Sequence, residues 1–217
     1  MIMAYPGKIQ RNEGVKRMLD LAIAIPACLA LFPVFVLTGM AVFMVFGRPV
    51  FFRQVRPGKN GRPFVIYKFR TMSCEKSPDG KLLSEADRLK SLGRFLRKMS
   101  LDELPELWNV IKGDMSLVGP RPLLMQYLGH YSAFHTRRHE VRPGITGWAQ
   151  VHGRNNTPFS RRFEMDVWYV DHHSLGLDLR IILMTLAKVF KREGVRGDLE
   201  ACYREVNDCG LPDIIEG

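Results

Sequence analysis

What the chain lacks narrows its chemistry before any motif is read. Only four cysteines occur in 217 residues, Cys28, Cys74, Cys202 and Cys209. None forms a CxxC pair, so neither a zinc site nor a disulfide framework is indicated, and a reducing setting fits best. There is no GxxxxGK[ST] phosphate loop, no GxGxxG opening a helix after a strand and no GxSxG elbow, which sets aside the commonest nucleotide and hydrolase sites. His135 and His139 stand four apart in HTRRH, but no Glu follows the first His as a zinc protease requires. The adjacent His172 and His173 would face different ways on a regular element. Internal repeats and low-complexity tracts are also missing. Acidic residues are in short supply: 22 Asp and Glu against 32 Lys and Arg leave a formal charge of +10. That excess points to an anionic partner, whether nucleic acid, phosphorylated lipid or phosphorylated substrate. With 46% hydrophobic residues, the chain can bury one ample core, so a single domain over 1–217 is expected.

Charge is absent altogether from Leu21 through Gly47. This run is longer than a signal-peptide core, no small-residue cleavage site follows it, and roughly 20 apolar residues suffice to span a bilayer. Pro26 and Pro33 interrupt it, and Pro33 near its middle removes a backbone hydrogen bond and predicts a kink. Both flanks are basic, with Lys8, Arg11, Lys16 and Arg17 before and Arg48, Arg53, Arg56 and Lys59 after, so both ends favour the cytoplasmic side. Each arm, roughly 13 residues or about 20 Å, is too short to cross a ~30 Å core. A re-entrant anchor is therefore preferred to a spanning helix.

Beyond the anchor, VFFRQVRPGKNGRPFVIYKFRTMS reads as two short strands around a turn. Lys68 and Arg70 share a strand face, which ordinarily marks a solvated edge. Leu89, Leu92, Leu96 and Met99 recur at helical spacing beside Arg94, Arg97 and Lys98, the pattern of a helix on anionic headgroups. Leu104, Leu107, Trp108 and Ile111 follow the same spacing and are expected in the core. Two turn-rich segments, GDMSLVGPRP and VRPGITGWAQVHGRN, combine Gly and Pro with Arg in a manner suited to phosphate, as well as to plain loops. Leu179, Ile182, Leu183, Leu186, Val189 and Phe190 give a last amphipathic helix whose stripe is expected to pack.

Between these lies RKMSLDELPELWNVIKGDMSLVGPRP, with Asp102 and Glu103 adjacent after a basic cluster. Two readings compete. Ser100 and Glu103 fit a capping box, or Asp102 is itself the N-cap with Pro105 in the first turn. Alternatively, the pair does chemistry.

The stretches VKRMLD, YKFRTMS, RKMSLDELPELWNVIKGDMSLVGPRPLL, VRPGITGWAQVHGRN and FEMDVWYV together resemble the bacterial sugar transferases, small monotopic polyprenyl-phosphate phosphoglycosyl transferases, over roughly the first 195 residues. The resemblance implies an α+β fold: a re-entrant membrane helix hairpin on a compact, mainly helical cytosolic domain with a small β-hairpin and interfacial amphipathic helices. The segment 1–47 would be the N-terminal anchor, 48–195 the catalytic core and 196–217 a polar tail. It further implies transfer of a sugar 1-phosphate from a UDP-sugar to undecaprenyl phosphate, with release of UMP and a covalent aspartyl-phosphosugar intermediate. The setting would be the cytoplasmic face of a bacterial inner membrane, the partners membrane lipid and no nucleic acid, with homo-oligomerisation open. Asp102 and Glu103 would be the catalytic dyad and the Mg²⁺ ligands, since hard oxygen ligands suit that ion. Lys68, Arg97 and Arg154 match family positions and are expected to contact phosphate or nucleotide. Arg121 and Arg142 are added from their loops, and Asp166 matches a family acidic position with a metal, ribose or structural role. Two departures stand out: His152 replaces the family's usual Asn, and Phe32 replaces a Ser before the mid-anchor Pro, so the bend relies more on Pro33. The competing function is a membrane-tethered basic module that binds nucleic acid or acidic lipid and leaves the dyad dispensable. A multi-spanning transferase is disfavoured by the single apolar run.

Overall fold

The computed structural model describes residues 13–80, 83–153 and 157–191. Lys8, Arg11, Arg154 and the polar tail lie outside the described residues. The apolar run forms two helices, α1 (Glu13–Ala30) and α2 (Phe32–Phe46), bent by 61° at Leu31. Pro33 falls in the first turn of α2, where its missing N–H costs nothing, while Pro26 is carried inside α1. The arms diverge by this bend rather than folding back side by side. Among the described residues no single helix is long and apolar enough to cross a membrane; the bent pair has the length and composition to do so together.

The first turns of α1 belong to the core. Lys16 donates to Asp178 (2.6 Å), the Tyr169 hydroxyl (3.2 Å) and the Val118 carbonyl (3.1 Å). Asp20, 2% exposed, accepts from the Ser116 hydroxyl and the Leu117 amide, each at 3.0 Å. Farther along, Leu29 is 73% exposed and Met44 on α2 is 74% exposed.

Strands β1 (Phe51–Pro57) and β2 (Pro63–Phe69) form the expected antiparallel hairpin, with Phe52 opposite Lys68 and Gln54 opposite Ile66. Phe51 and Phe69 stack at 5.3 Å, and Phe35 of α2 leans on Phe69 at 4.8 Å. Such ring pairs add about 0.5–1.5 kcal/mol beyond their buried area, which seats α2 on the hairpin. The solvated-edge expectation for Lys68 and Arg70 fails. Lys68 is ion-paired to two carboxylates, and Arg70 donates to the carbonyls of Met72, Phe46 and Arg48.

Helices α3 (Glu85–Arg88) and α4 (Ser91–Lys98) replace the single helix expected from the leucine spacing, with Leu89 between them. A Cβ on Gly93 would lie 1.9 Å from the Thr71 carbonyl oxygen, so glycine lets α4 close onto the end of the hairpin. Next come a 3₁₀ turn at Leu101–Glu103, α5 (Glu106–Lys112), β3 (Ser116–Val118), α6 (Ala133–Thr136), β4 (Gly144–Thr146), α7 (Trp148–His152), α8 (Phe159–His172) and α9 (Leu175–Lys191). β3 and β4 pair in parallel. The central core joins Val110, Met115, Val118, Val170 and Ile181 to Ala24 of α1.

Two packing expectations are corrected. Trp108 is 57% exposed; α5 instead buries Glu106, Asn109 and Val110. On α9, Ile182 is half-buried, but Leu179, Leu183 and Leu186 lie on the surface. Periodicity defines an apolar face without stating what covers it. The HTRRH segment is also divided, with His135 on α6 and His139 in a following 3₁₀ turn.

Candidate active site

The site is assembled where the hairpin meets α5. β2 has a second edge that β1 does not pair, and Asn109, fully buried, occupies it. Its amide donates to the Val65 carbonyl (2.7 Å) and accepts from the Tyr67 amide (3.2 Å), as a neighbouring strand would. This clamp brings Lys68 against the start of α5. On the other side, α4 carries Arg97, whose Nε donates to the Thr71 hydroxyl at 3.1 Å. Ser100 then takes a left-handed conformation (φ 53°) that turns the chain into the Leu101–Glu103 segment.

Neither capping reading survives this geometry. Ser100 makes no side-chain cap hydrogen bond, Asp102 lies inside the 3₁₀ turn, and Pro105 occupies the N-cap position of α5. A buried carboxylate that caps nothing must be held by other charges.

The cations beside it are drawn mainly to its neighbour Glu103. Glu103 Oε1 accepts from Lys68 Nζ at 2.7 Å and from Arg121 Nη2 at 2.5 Å. Lys68 also lies 3.0 Å from Glu106 Oε1, which makes no hydrogen bond although Glu106 is 2% exposed. Burial alone would raise the Glu103 carboxyl, but the charges of Arg121 and Lys68 outweigh it and bring it down to about 2. Glu106 moves the other way, to about 7, through burial and then the charge of Glu103. Asp102 is also held above the ordinary carboxylate range by burial and by Glu103, against the pull of Lys68, Arg121 and Arg97. The cluster thus neutralises Glu103 and leaves Asp102 and Glu106 short of positive charge.

Of the residues singled out from sequence, Lys68, Arg97, Asp102, Glu103 and Arg121 converge here. Arg142 does not: its Nε donates to the Gly113 carbonyl (3.1 Å) at the far end of α5, and its Nη1 lies 3.8 Å from Glu13. Asp166, 4% exposed, accepts from Arg138 at 2.7 and 3.1 Å. His152 is exposed and packs its ring on Trp148 at 3.6 Å. Glu106 and Arg138 were not singled out. Glu106 carried one usable signal, since a third carboxylate four residues after Asp102 falls near the same helix face. Arg138 carried none that separates it from a surface arginine.

The donor set suits Mg²⁺. That ion is commonly held by one or two carboxylates together with substrate phosphates, rather than by a protein cage. Among the described residues no three His, Cys, Asp or Glu side chains form such a cage, while Asp102 and Glu103 supply hard oxygens in a site whose negative charge is incompletely paired.

Comparison with known proteins shows what the chain is similar to. A family model described as bacterial sugar transferase matches residues 11–192. The chain is 52% identical over 182 residues to "Uncharacterized sugar transferase EpsL" of Bacillus subtilis (strain 168), covering 84% of this chain and 90% of that protein. It is 41% identical over 186 residues to the UDP-glucose:undecaprenyl-phosphate glucose-1-phosphate transferase of Xanthomonas campestris pv. campestris, covering 80% of this chain and 38% of that one. Identity to the UDP-galactose-lipid carrier transferase of Erwinia amylovora is 37% over 214 residues, covering 89% and 44%. The chain spans less than half the length of these last two.

Proposed function

From the premise that the chain belongs to the bacterial sugar transferase family and is a transferase, we propose that it moves a sugar 1-phosphate from a UDP-sugar to undecaprenyl phosphate. The observation that carries this reading is the burial of Asp102 beside a Glu103 already neutralised by Lys68 and Arg121. A carboxylate is a weak nucleophile toward a diphosphate, because both are anionic. Here the cations lie within reach of an incoming diphosphate, and burial keeps the Asp102 charge poorly solvated. An Asp102 oxygen attacks the phosphorus that bears the sugar, the bond from that phosphorus to the bridging oxygen breaks, and UMP departs with the electron pair. A phosphate oxygen of undecaprenyl phosphate then attacks the same phosphorus and releases Asp102. Lys68, Arg97 and Arg121 orient the diphosphate and compensate charge on the leaving UMP. Mg²⁺, held by Asp102 and Glu103 with the substrate phosphates, would supply further neutralisation of the diphosphate. Arg154 and Arg142 are the less supported contacts. The former lies outside the described residues, and the latter is engaged at Gly113.

The bent pair α1–α2 is proposed to enter and leave one leaflet from the cytoplasmic side, which accords with its exposed apolar side chains and basic flanks. Labelling of Lys8→Cys and Lys59→Cys, in a background without the four native cysteines, tests this. Labelling from opposite sides of the membrane would replace it with a spanning anchor.

The reaction is tested with detergent-purified protein, UDP-glucose or UDP-galactose, and Mg²⁺, without lipid acceptor. The expected result is about one UMP per active enzyme and a phosphosugar on the peptide containing Asp102. Asp102→Asn should abolish both. Sustained turnover by a verified Asp102→Asn protein would overturn the nucleophile assignment.

A further inference from the structure

Arg138 is 3% exposed, buried as few arginines are. All three nitrogens of its guanidinium are nonetheless engaged. Nε and Nη2 donate to Asp166 Oδ2 at 3.1 and 2.7 Å, and Nη1 donates to the Tyr131 hydroxyl at 3.3 Å. The group lies over the rings of Tyr131 and Phe163, 5.7 and 5.3 Å from their centroids. One further donation leaves this cage: Nη2 reaches the main-chain carbonyl of Arg121 at 2.7 Å. Arg121 is the residue whose side chain holds Glu103.

Stability alone is a poor reason for such a group. A buried ion pair costs desolvation that apolar residues of similar volume avoid, so the pair is weak as a source of stability, and the contact that leaves it is the feature to account for. The loop at Arg121 shows what needs imposing. Pro120 and Pro122 flank it, and neither has an N–H with which to tie the loop down. The loop is instead held by the Gly119 amide on the Thr146 carbonyl (2.9 Å) and by the Gly144 amide on the Pro120 carbonyl (3.0 Å). The second of these holds the peptide that joins Pro120 to Arg121; the peptide that follows, through the Arg121 carbonyl, is met by Arg138.

We propose that Arg138 is a positioning residue: braced by Asp166 on α8, it sets the Arg121 backbone so that the Arg121 side chain meets Glu103 and the substrate diphosphate. Asp166 accordingly acts through Arg138 and touches neither metal nor ribose. The route runs from the core of α8 to the dyad through three hydrogen-bonded steps. This inference rests on the reading that Arg121 serves sugar-phosphate transfer.

Two measurements on the full-length protein in detergent test it. In Arg138→Lys the ammonium keeps the charge opposite Asp166 but cannot span to the Arg121 carbonyl. Hydrogen exchange of the Gly119 and Gly144 amides, which tie this loop to β4, should accelerate about tenfold, with the β1–β2 peptide unchanged. Release of UMP should fall about tenfold in the otherwise native protein and less than about twofold in an Arg121→Ala background. A general structural role predicts the same fold loss in both backgrounds. Equal losses, or unchanged exchange at Gly119 and Gly144, would overturn the proposal. Where Arg138→Lys is not recovered folded, Asp166→Asn, which keeps the shape and removes the brace, is judged by the same criteria. If the native protein releases no UMP from either UDP-sugar, the proposed reaction has failed, and the exchange measurement alone decides the role of Arg138.

Discussion

The two ends of α5 are built on opposite terms. At its C-terminal end every charge has a partner: Arg17 donates to the carbonyls of Val110 and Ile111, Arg142 to that of Gly113, and Gly113 takes the left-handed conformation (φ 93°) that closes the helix. Cations at a helix C-terminus also meet the favourable end of its dipole. At the N-terminal end three carboxylates, Asp102, Glu103 and Glu106, share ion pairs from Lys68 and Arg121, Arg97 acts on Asp102 without an ion pair, and the carboxyls of Asp102 and Glu106 are pushed up. Seven residues, about 10 Å of helix, separate a region arranged for stability from one that leaves charge unbalanced. Two arginines from similar Gly-Pro segments, Arg121 and Arg142, go to these opposite ends. The type of residue and its loop therefore do not set its role; the terminus it reaches does.

The sharpest way to break this contrast is to exchange the losses. Arg121→Ala should lower UMP release by about 10²–10³-fold, the scale of removing one preorganised charge partner. Arg142→Ala should change it by less than about threefold. Comparable losses in steady-state assays would erase the distinction between the two ends.

The N-terminal end should also reveal itself in the pH dependence of stability. Folding raises Glu106 from 4.5 to about 7. Between those values the folded protein holds a proton that the unfolded chain releases. This contribution is fully present below pH 4.5 and is lost as pH rises through 7. Glu106→Gln cannot titrate, so its melting temperature relative to the native protein should rise between pH 5 and pH 8, by an amount equivalent to up to about 3 kcal/mol. A constant difference across that range would show that Glu106 is not strained.

At the other end, Gly113→Ala should destabilise by about 1 kcal/mol through its positive φ, read as a shift in thermal midpoint with catalysis per folded molecule intact. Smallest of all, Arg142→Met should cost about 0.5–1 kcal/mol of stability. A larger catalytic than thermal effect from either would move this end of the helix into the working site.

Much of the N-terminal end was legible. Adjacent carboxylates after a basic helix and an Arg in a Gly-Pro loop stood out in the sequence, whereas Lys68 read locally as a solvated edge and joined them only through the family resemblance; hairpin and anchor break fell where turn residues and Pro33 placed them. Other features lay beyond local pattern. Asn109 and Glu106 occupy polar positions of an amphipathic helix, and only the docking of α5 on β2 buries them. Trp108, Leu179, Leu183 and Leu186 are apolar at core spacing yet exposed. In HTRRH attention fell on the histidines, whereas the working group is the arginine before the second one. Its partner Asp166 is 28 residues away and its target Arg121 is 17.

The docking of α1 has a consequence for the order in which the molecule can be made. Lys16 leaves the ribosome 162 residues ahead of its ion-pair partner Asp178 and 102 residues ahead of the Val118 carbonyl. Of the described elements this helix comes first in the chain, and its contacts cannot be completed until α9 has emerged. Throughout translation its apolar length must be sheltered by something other than its final neighbours, and closure of the core is a late, long-range event with the slow loop closure such contacts entail. A chain stopped short of Asp178 would present the anchor without the lock that joins it to the catalytic core.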